Sequence, residues 1–152
     1  MRPTYEKQLD RWKQEGVLEL VKEITGWDFE MTEPFVCFDA YLRSRITPSS
    51  LPHTPRAIIE VKVREKSYQH FMISKQKIDA ILTEALKLNV TPLLAVAWTS
   101  ELRLGIIDLG TCEKEPGRGG RQDRQDPQDM EEVYFIPRSA FSKWKVASWP
   151  WQ

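Results

Sequence analysis

Arg56-Ala57-Ile58-Ile59-Glu60-Val61-Lys62-Val63-Arg64 decides how this chain is read, because its apolar and charged residues alternate as they do along a β-strand. A two-residue period sends Ile59, Val61 and Val63 to one face and Ile58, Glu60, Lys62 and Arg64 to the other. The first face reads as core and the second as a charged ledge. Glu60 and Lys62 then share a side. Asp39, at the end of the apolar run Phe35 to Phe38, falls on a neighbouring strand, where it can give a second oxygen to a hard cation such as Mg²⁺. Two carboxylates and a lysine around such a cation suit the metal-dependent hydrolysis of a phosphodiester.

Around this strand the chain divides cleanly. Residues from about Tyr5 to Thr25 are rich in helix formers, with Leu9, Trp12, Val17, Leu18, Val21 and Ile24 as an apolar stripe, Gly16 as a potential interruption and Gly26 as a stop. Trp27 to Met31 and Phe35 to Arg43 read as strands separated by the turn Thr32-Glu33-Pro34. Three prolines between Arg45 and Arg56 mark an irregular connection of the size that flanks a substrate groove. Ser74 is an N-cap for a helix to about Leu88, whose Ile78, Ile81, Leu82 and Ala85 recur at helical spacing. The almost wholly apolar Thr91 to Trp98 fits a central strand buried on both faces and reached by a crossover from a parallel neighbour. Leu102 to Leu109 returns after a short turn. About 112–129 holds no large apolar residue and reads as a mobile loop. Val133 to Ile136 gives a short last strand before a tail with Trp144, Trp149 and Trp151.

Composition narrows the function classes. A length of 152 residues fits one domain, 1–152, and not two comfortable ones. Lysine plus arginine equals aspartate plus glutamate at 22 each, which excludes a general coater of nucleic acid. Between Lys62 and Lys77, however, Lys62, Arg64, Lys66, Lys75 and Lys77 face only Glu65. Cys37 and Cys112 have neither metal-ligand spacing nor a disulfide framework and read as reduced thiols. No apolar stretch is as long as a membrane span and the first residues lack the hydrophobic region of a signal peptide, so a cytoplasmic location is expected, that of the host cell if the chain is viral. His53 and His70 are too few and too far apart for a histidine metal site.

Asp39 followed by Glu60-x-Lys62 resembles the PD-(D/E)XK nuclease superfamily, whose order of elements is also seen in archaeal Holliday-junction resolvases and small phage nucleases. The resemblance spans roughly residues 5 to 109. The proline that often precedes the first acid of the motif is replaced by Phe38, with Pro34 the nearest. The resemblance implies an α/β, restriction-endonuclease-like fold, a mixed central sheet flanked by helices in the order α-β-β-β-α-β-β plus a short C-terminal strand. It implies a Mg²⁺-dependent deoxyribonuclease, with Mn²⁺ as a substitute ion and DNA as partner. Asp39, Glu60 and the backbone carbonyl of Val61 become the metal ligands, and Lys62 the residue that positions or activates water. Relatives act as dimers, which leaves a homodimer open.

Relatives also add a glutamate from the first helix. Glu6, Glu15 and Glu19 are all available, and Glu15, beside the buried stripe, is preferred as a fourth catalytic residue. Lys75, Gln76 and Lys77 occupy the first turn of the helix capped by Ser74, where free N–H groups and the helix dipole favour phosphate; the family's Gln or Lys in this turn matches Gln76 or Lys77. Arg43, Arg45 and Arg64 are candidates for contacts with backbone phosphates. The tail tryptophans are expected to pack on the core rather than stack on bases. The competing readings are a catalytically inactive DNA-binding or protein-interaction module on the same fold, with Asp39, Glu60 and Lys62 as relics, and a structural protein in which the charged ledge merely faces water.

Overall fold

A computed structural model describes residues 4–44, 55–120 and 130–152. Helix α1 (Thr4–Thr25) leads into β1 (Trp27–Met31), β2 (Ala40–Ser44), β3 (Ala57–Arg64) and β4 (His70–Ser74). Helix α2 (Lys75–Leu88), β5 (Thr91–Trp98), β6 (Arg103–Asp108), β7 (Glu115–Gly120), β8 (Met130–Pro137) and β9 (Ser142–Lys145) follow. Among the described residues the strands form a six-stranded sheet, β1-β2-β3-β5-β6-β9, and a three-stranded sheet, β4-β8-β7. The only parallel pairing in these ladders is that of β3 with β5, in register from Ala57 opposite Thr91 to Arg64 opposite Trp98. A parallel neighbour needs a crossover, and β4 with α2 provides it.

Both faces of the large sheet are covered, so its central strands are apolar on both sides. On one face Ile59, Val61, Ala95, Ala97 and Leu104 pack with Val17, Leu18 and Val21 of α1. On the other, Ile58, Leu94, Val96 and Trp98 meet Ile78 and Ile81 of α2 and Phe71, Ile73 and Ile136 of the small sheet. The alternation of β3 is therefore real, but its second face is not an open ledge. Ile58 and Glu60 lie beneath α2 and the small sheet, and only from Lys62 outward does the row approach solvent.

Several expectations are corrected. Helix α1 runs through Gly16 without interruption, and Trp12, placed in its apolar stripe, is 55 % exposed. The run from Phe35 is not strand until Ala40: residues 34–39 are irregular, with Phe35 in solvent and Phe38 in the core. The loop expected over about 112–129 contains β7, which pairs with β8 from Glu115 opposite Phe135 to Gly120 opposite Met130. This strand has little apolar content because its glycines admit the side chains of its neighbours. A Cβ on Gly117 would come within 2.6 Å of the Phe135 ring, and one on Gly119 would collide with the Met72 sulfur. Residues 121–129, like Arg45 and His53, lie outside the described residues. β4, a five-residue strand that passes directly into α2, has no counterpart among the elements expected from the sequence.

Of the tail tryptophans, Trp149 is 1 % exposed. Its indole N–H donates to the Thr99 carbonyl at 3.0 Å, and Trp151 stacks on it at 5.3 Å. We expect Trp149→Ala to lower the unfolding free energy by about 3–5 kcal/mol, read from the urea midpoint; a loss well under about 1 kcal/mol would contradict this placement.

Candidate active site

The site begins where β2 stops pairing with β3. The ladder runs from Leu42 opposite Ala57 to Ala40 opposite Ile59, and Asp39 extends it by one rung, its N–H donating to the Ile59 carbonyl at 2.9 Å. At the next rung a side chain replaces backbone: the Val61 N–H donates to Asp39 Oδ2 at 2.7 Å. Since Ile59 faces β2, Val61, two residues on, has its N–H and carbonyl on the same edge, beyond the end of β2. Asp39 is fixed from behind by Thr32, whose N–H donates to the Asp39 carbonyl at 2.9 Å and whose hydroxyl donates to the Phe38 carbonyl. The Thr32 carbonyl accepts from Arg11 of α1 at 2.9 Å. The acid therefore sits in a loop tied to both flanking strands and to the helix.

Glu60, only 1 % exposed, points to the face covered by α2. Its carboxyl is pushed up to about 8, chiefly by burial, then by a hydrogen bond with the Asp39 carboxylate and by that group's charge; Lys62 and Lys77 oppose the rise. Lys62 Nζ lies 4.0 Å from Oε1 and Lys77 Nζ 3.2 Å from Oε2. Oε2 is nonetheless buried without a hydrogen bond of acceptable geometry, so Lys77 acts on it as a nearby charge. The Lys62 ammonium is itself pulled down, first by burial and further by Lys77 and Arg64, against the pull of Glu60 and Asp39.

Two clefts meet at Lys62 and Arg64. One, of about 510 Å³, is bounded by Lys62, Arg64, Met72, Gln76, Lys77 and Glu131. The other, of about 250 Å³, is walled by Asp10, Lys13 and Gln14 of α1 opposite Val61 to Arg64. Asp39, Glu60, Val61, Lys62 and Lys77 are thus brought together, with Arg64 and Gln76 at the cleft wall. Lys75 is not: it pairs with Asp79 at 2.7 Å and lies over the Tyr134 ring, away from the cleft. Glu15 is exposed and lines neither cleft. The α1 residues facing the site are Asp10, Lys13 and Gln14, which sequence reasoning missed by weighing glutamates alone. The signal was present, since the buried Val17, Leu18 and Val21, stepped back by three and four residues, lead to Gln14 and then Asp10. Arg43 pairs with Glu30 at 2.7 Å on β1, at the far end of the sheet.

A family model described as "Phage putative PDDEXK endonuclease" matches residues 1–144. The chain belongs to that family. Nucleases of the PD-(D/E)XK type generally use divalent metals. Among solved structures, the chain resembles Hjc, a Holliday junction resolvase from the archaeal hyperthermophile Archaeoglobus fulgidus, at 15 % identity and a TM-score of 0.57, covering 87 % of each chain. It also resembles a nuclease from a fusellovirus, at 15 % identity and a TM-score of 0.50, over 93 % of this chain and 89 % of that one. At such identities the likeness establishes the fold, a mixed α/β sheet flanked by helices. No curated protein matches the chain.

The raised Glu60 carboxyl gives a prediction with a definite sign. In the folded protein this group keeps its proton up to about pH 8, whereas the unfolded chain releases it near the ordinary 4.5. The stability tied to that proton is complete below about pH 4.5 and is lost as pH rises toward 8, by up to about 1.4 kcal/mol per pH unit. In chelator, Glu60→Gln should therefore flatten the fall in Tm between pH 5 and pH 8. A fall as steep as that of the wild type would show that Glu60 is not the group responsible.

Proposed function

We propose that the chain is a single-domain, Mg²⁺-dependent deoxyribonuclease, with Asp39, Glu60 and the Val61 carbonyl holding the ion and Mn²⁺ able to replace Mg²⁺. The observation that carries this reading is the buried Glu60 Oε2, without a hydrogen bond beside a second carboxylate. A buried carboxylate oxygen left so is costly, and a hard cation with oxygen ligands removes the cost. Among the described residues there is no cluster of three His, Cys, Asp or Glu side chains. The donor set is accordingly two carboxylates, a backbone carbonyl and water, which suits Mg²⁺ better than zinc.

When bound, such an ion neutralises charge on the phosphoryl oxygens and lowers the pKa of water. The chain's own residues do the rest. Asp39, held by Val61 and Thr32, fixes where the oxygens converge. Lys62, half-buried and with its ammonium made more acidic by that burial, orients the attacking water. Lys77 and Gln76, in the first turn of α2, place a cation and an amide beside the same cleft, where the helix N-terminus already favours a phosphate. Arg64, at the mouth of both clefts, receives the flanking phosphate.

Incubating the purified protein with labelled single-stranded, duplex and branched DNA tests this directly. We expect cleavage with Mg²⁺ or Mn²⁺, none in chelator, and a loss of at least about 100-fold in Glu60→Ala and Lys62→Ala, in line with losses at electrostatic catalytic groups. Binding without cleavage by the wild type would select the inactive module instead. A further distinction concerns α1: Gln14→Ala should reduce cleavage by more than Glu15→Ala, and equal effects would remove α1 from the site wall.

A further inference from the structure

The register of the large sheet carries the cationic row of β3 across to its far edge. Arg64 is opposite Trp98, Trp98 opposite Arg103, and Arg103 opposite Lys145. One step inward, Lys62 is opposite Val96, Val96 opposite Gly105, and Gly105 opposite Lys143. Residues directly opposite in a ladder project from the same face, so Arg103, Lys143 and Lys145 share the face of Glu60, Lys62 and Arg64. All three are exposed. Arg103 and Lys143, with Arg138, line a cleft of about 260 Å³. The acid in that cleft, Glu101, is engaged by the Ser67 N–H at 3.1 Å.

Like charges directly opposite in a ladder are destabilising. Arg103 and Lys145 are such a pair, and among the described residues no carboxylate forms an ion pair with them or with Lys143. A group of cations placed together despite their repulsion, on the face and at the sheet end that carry the proposed active site, is complementary to a polyanion passing through that site. From this placement we infer that Arg103, Lys143 and Lys145 form a second phosphate-binding surface, which holds the DNA backbone beyond the cleavage position. β9 is three strand spacings from β3, about 14 Å, or about four base-pair steps along a duplex. The surface thus grips an arm of the substrate rather than the phosphate being cut. This inference rests on the nuclease reading for its choice of polyanion.

The test compares the wild type with Arg103→Gln/Lys143→Gln/Lys145→Gln and with the charge-keeping Arg103→Lys/Lys143→Arg/Lys145→Arg. Affinity for a labelled duplex of about 24 base pairs, more than spanning the inferred reach, is measured in chelator across a salt series, with cleavage of the same DNA in Mg²⁺ measured in parallel. The neutral variant should bind at least about tenfold more weakly, with a salt slope shallower by about two to three, near 0.9 for each phosphate no longer neutralised. The charge-keeping variant should match the wild type. Tm of the neutral variant should be no lower than that of the wild type; if it does not fold, Lys143→Gln and Lys145→Gln alone should each flatten the slope by about one. Equal affinity and slope in wild type and neutral variant overturn the surface, while wild-type cleavage leaves the nuclease reading intact. Binding without cleavage, weakened in the neutral variant, supports the surface and overturns the nuclease reading. A wild type that binds no DNA overturns both.

Discussion

The structure depends on holding the Glu60 carboxyl in a place from which water is nearly excluded. A carboxylate so placed has three ways to lower its energy: keep its proton, find cations, or share its oxygens with an acceptor of stronger charge. The chain uses the first two at once. Asp39 beside Glu60 favours the proton, and Lys62 and Lys77 oppose it. Much of the surrounding architecture can be understood as the means of placing those groups. β2 starts only at Ala40, so that Asp39 occupies the rung that backbone leaves empty, β3 carries Glu60 and Lys62 on one face, and α2 begins where Lys77 reaches down to the same carboxyl.

Much of this was legible in the sequence because it follows from short periods. The alternation of β3 places Glu60 with Lys62 whatever covers them. The Ser74 cap fixes where α2 starts, its Oγ accepting the Lys77 N–H at 3.4 Å, and the unbroken apolar run of β5 marks a strand buried on both faces. What alternation does not contain is the identity of the cover. Glu60 reads as part of a ledge because the small sheet and α2, which bury it, come later in the chain, and two of that sheet's three strands leave weak traces. β4 does alternate, Phe71 and Ile73 inward and Met72 outward, but it has no separating turn before the helix. β7 has no apolar signal because its partners supply the bulk through Phe135 and Met72.

The acidic and polar residues of α1 illustrate a different limit. Weighing glutamates alone favours Glu15 over Asp10 and Gln14, although helical spacing from Val17 and Val21 selects the other side of the helix. The motif locates Asp39, but the apolar run before it is a loop and not a strand: Phe35 is 87 % exposed, Phe38 is buried, and Val36 and Cys37 pack against the same core. The lysine of α2 that reaches Glu60, Lys77, can be narrowed from sequence only to a turn, since one residue of helical phase is about 100° and separates the cleft from the Tyr134 side, where Lys75 ends.

One junction has mechanical weight. Ser74 is both the last residue of β4 and the cap of α2, with no spacer between strand and helix. β4 and α2 are therefore coupled directly, and both seat on the large sheet, with Phe71, Ile73, Ile78 and Ile81 against Ile58, Leu94, Val96 and Trp98. The gap between Lys62 and the start of α2 is thus set by how β4 and α2 seat on that core, not by side-chain rotamers alone. Since β8 pairs with β4 and packs in the same core, the distance between Lys77 and the carboxyl it faces rests on the seating of the small sheet as well as on the helix that carries the lysine.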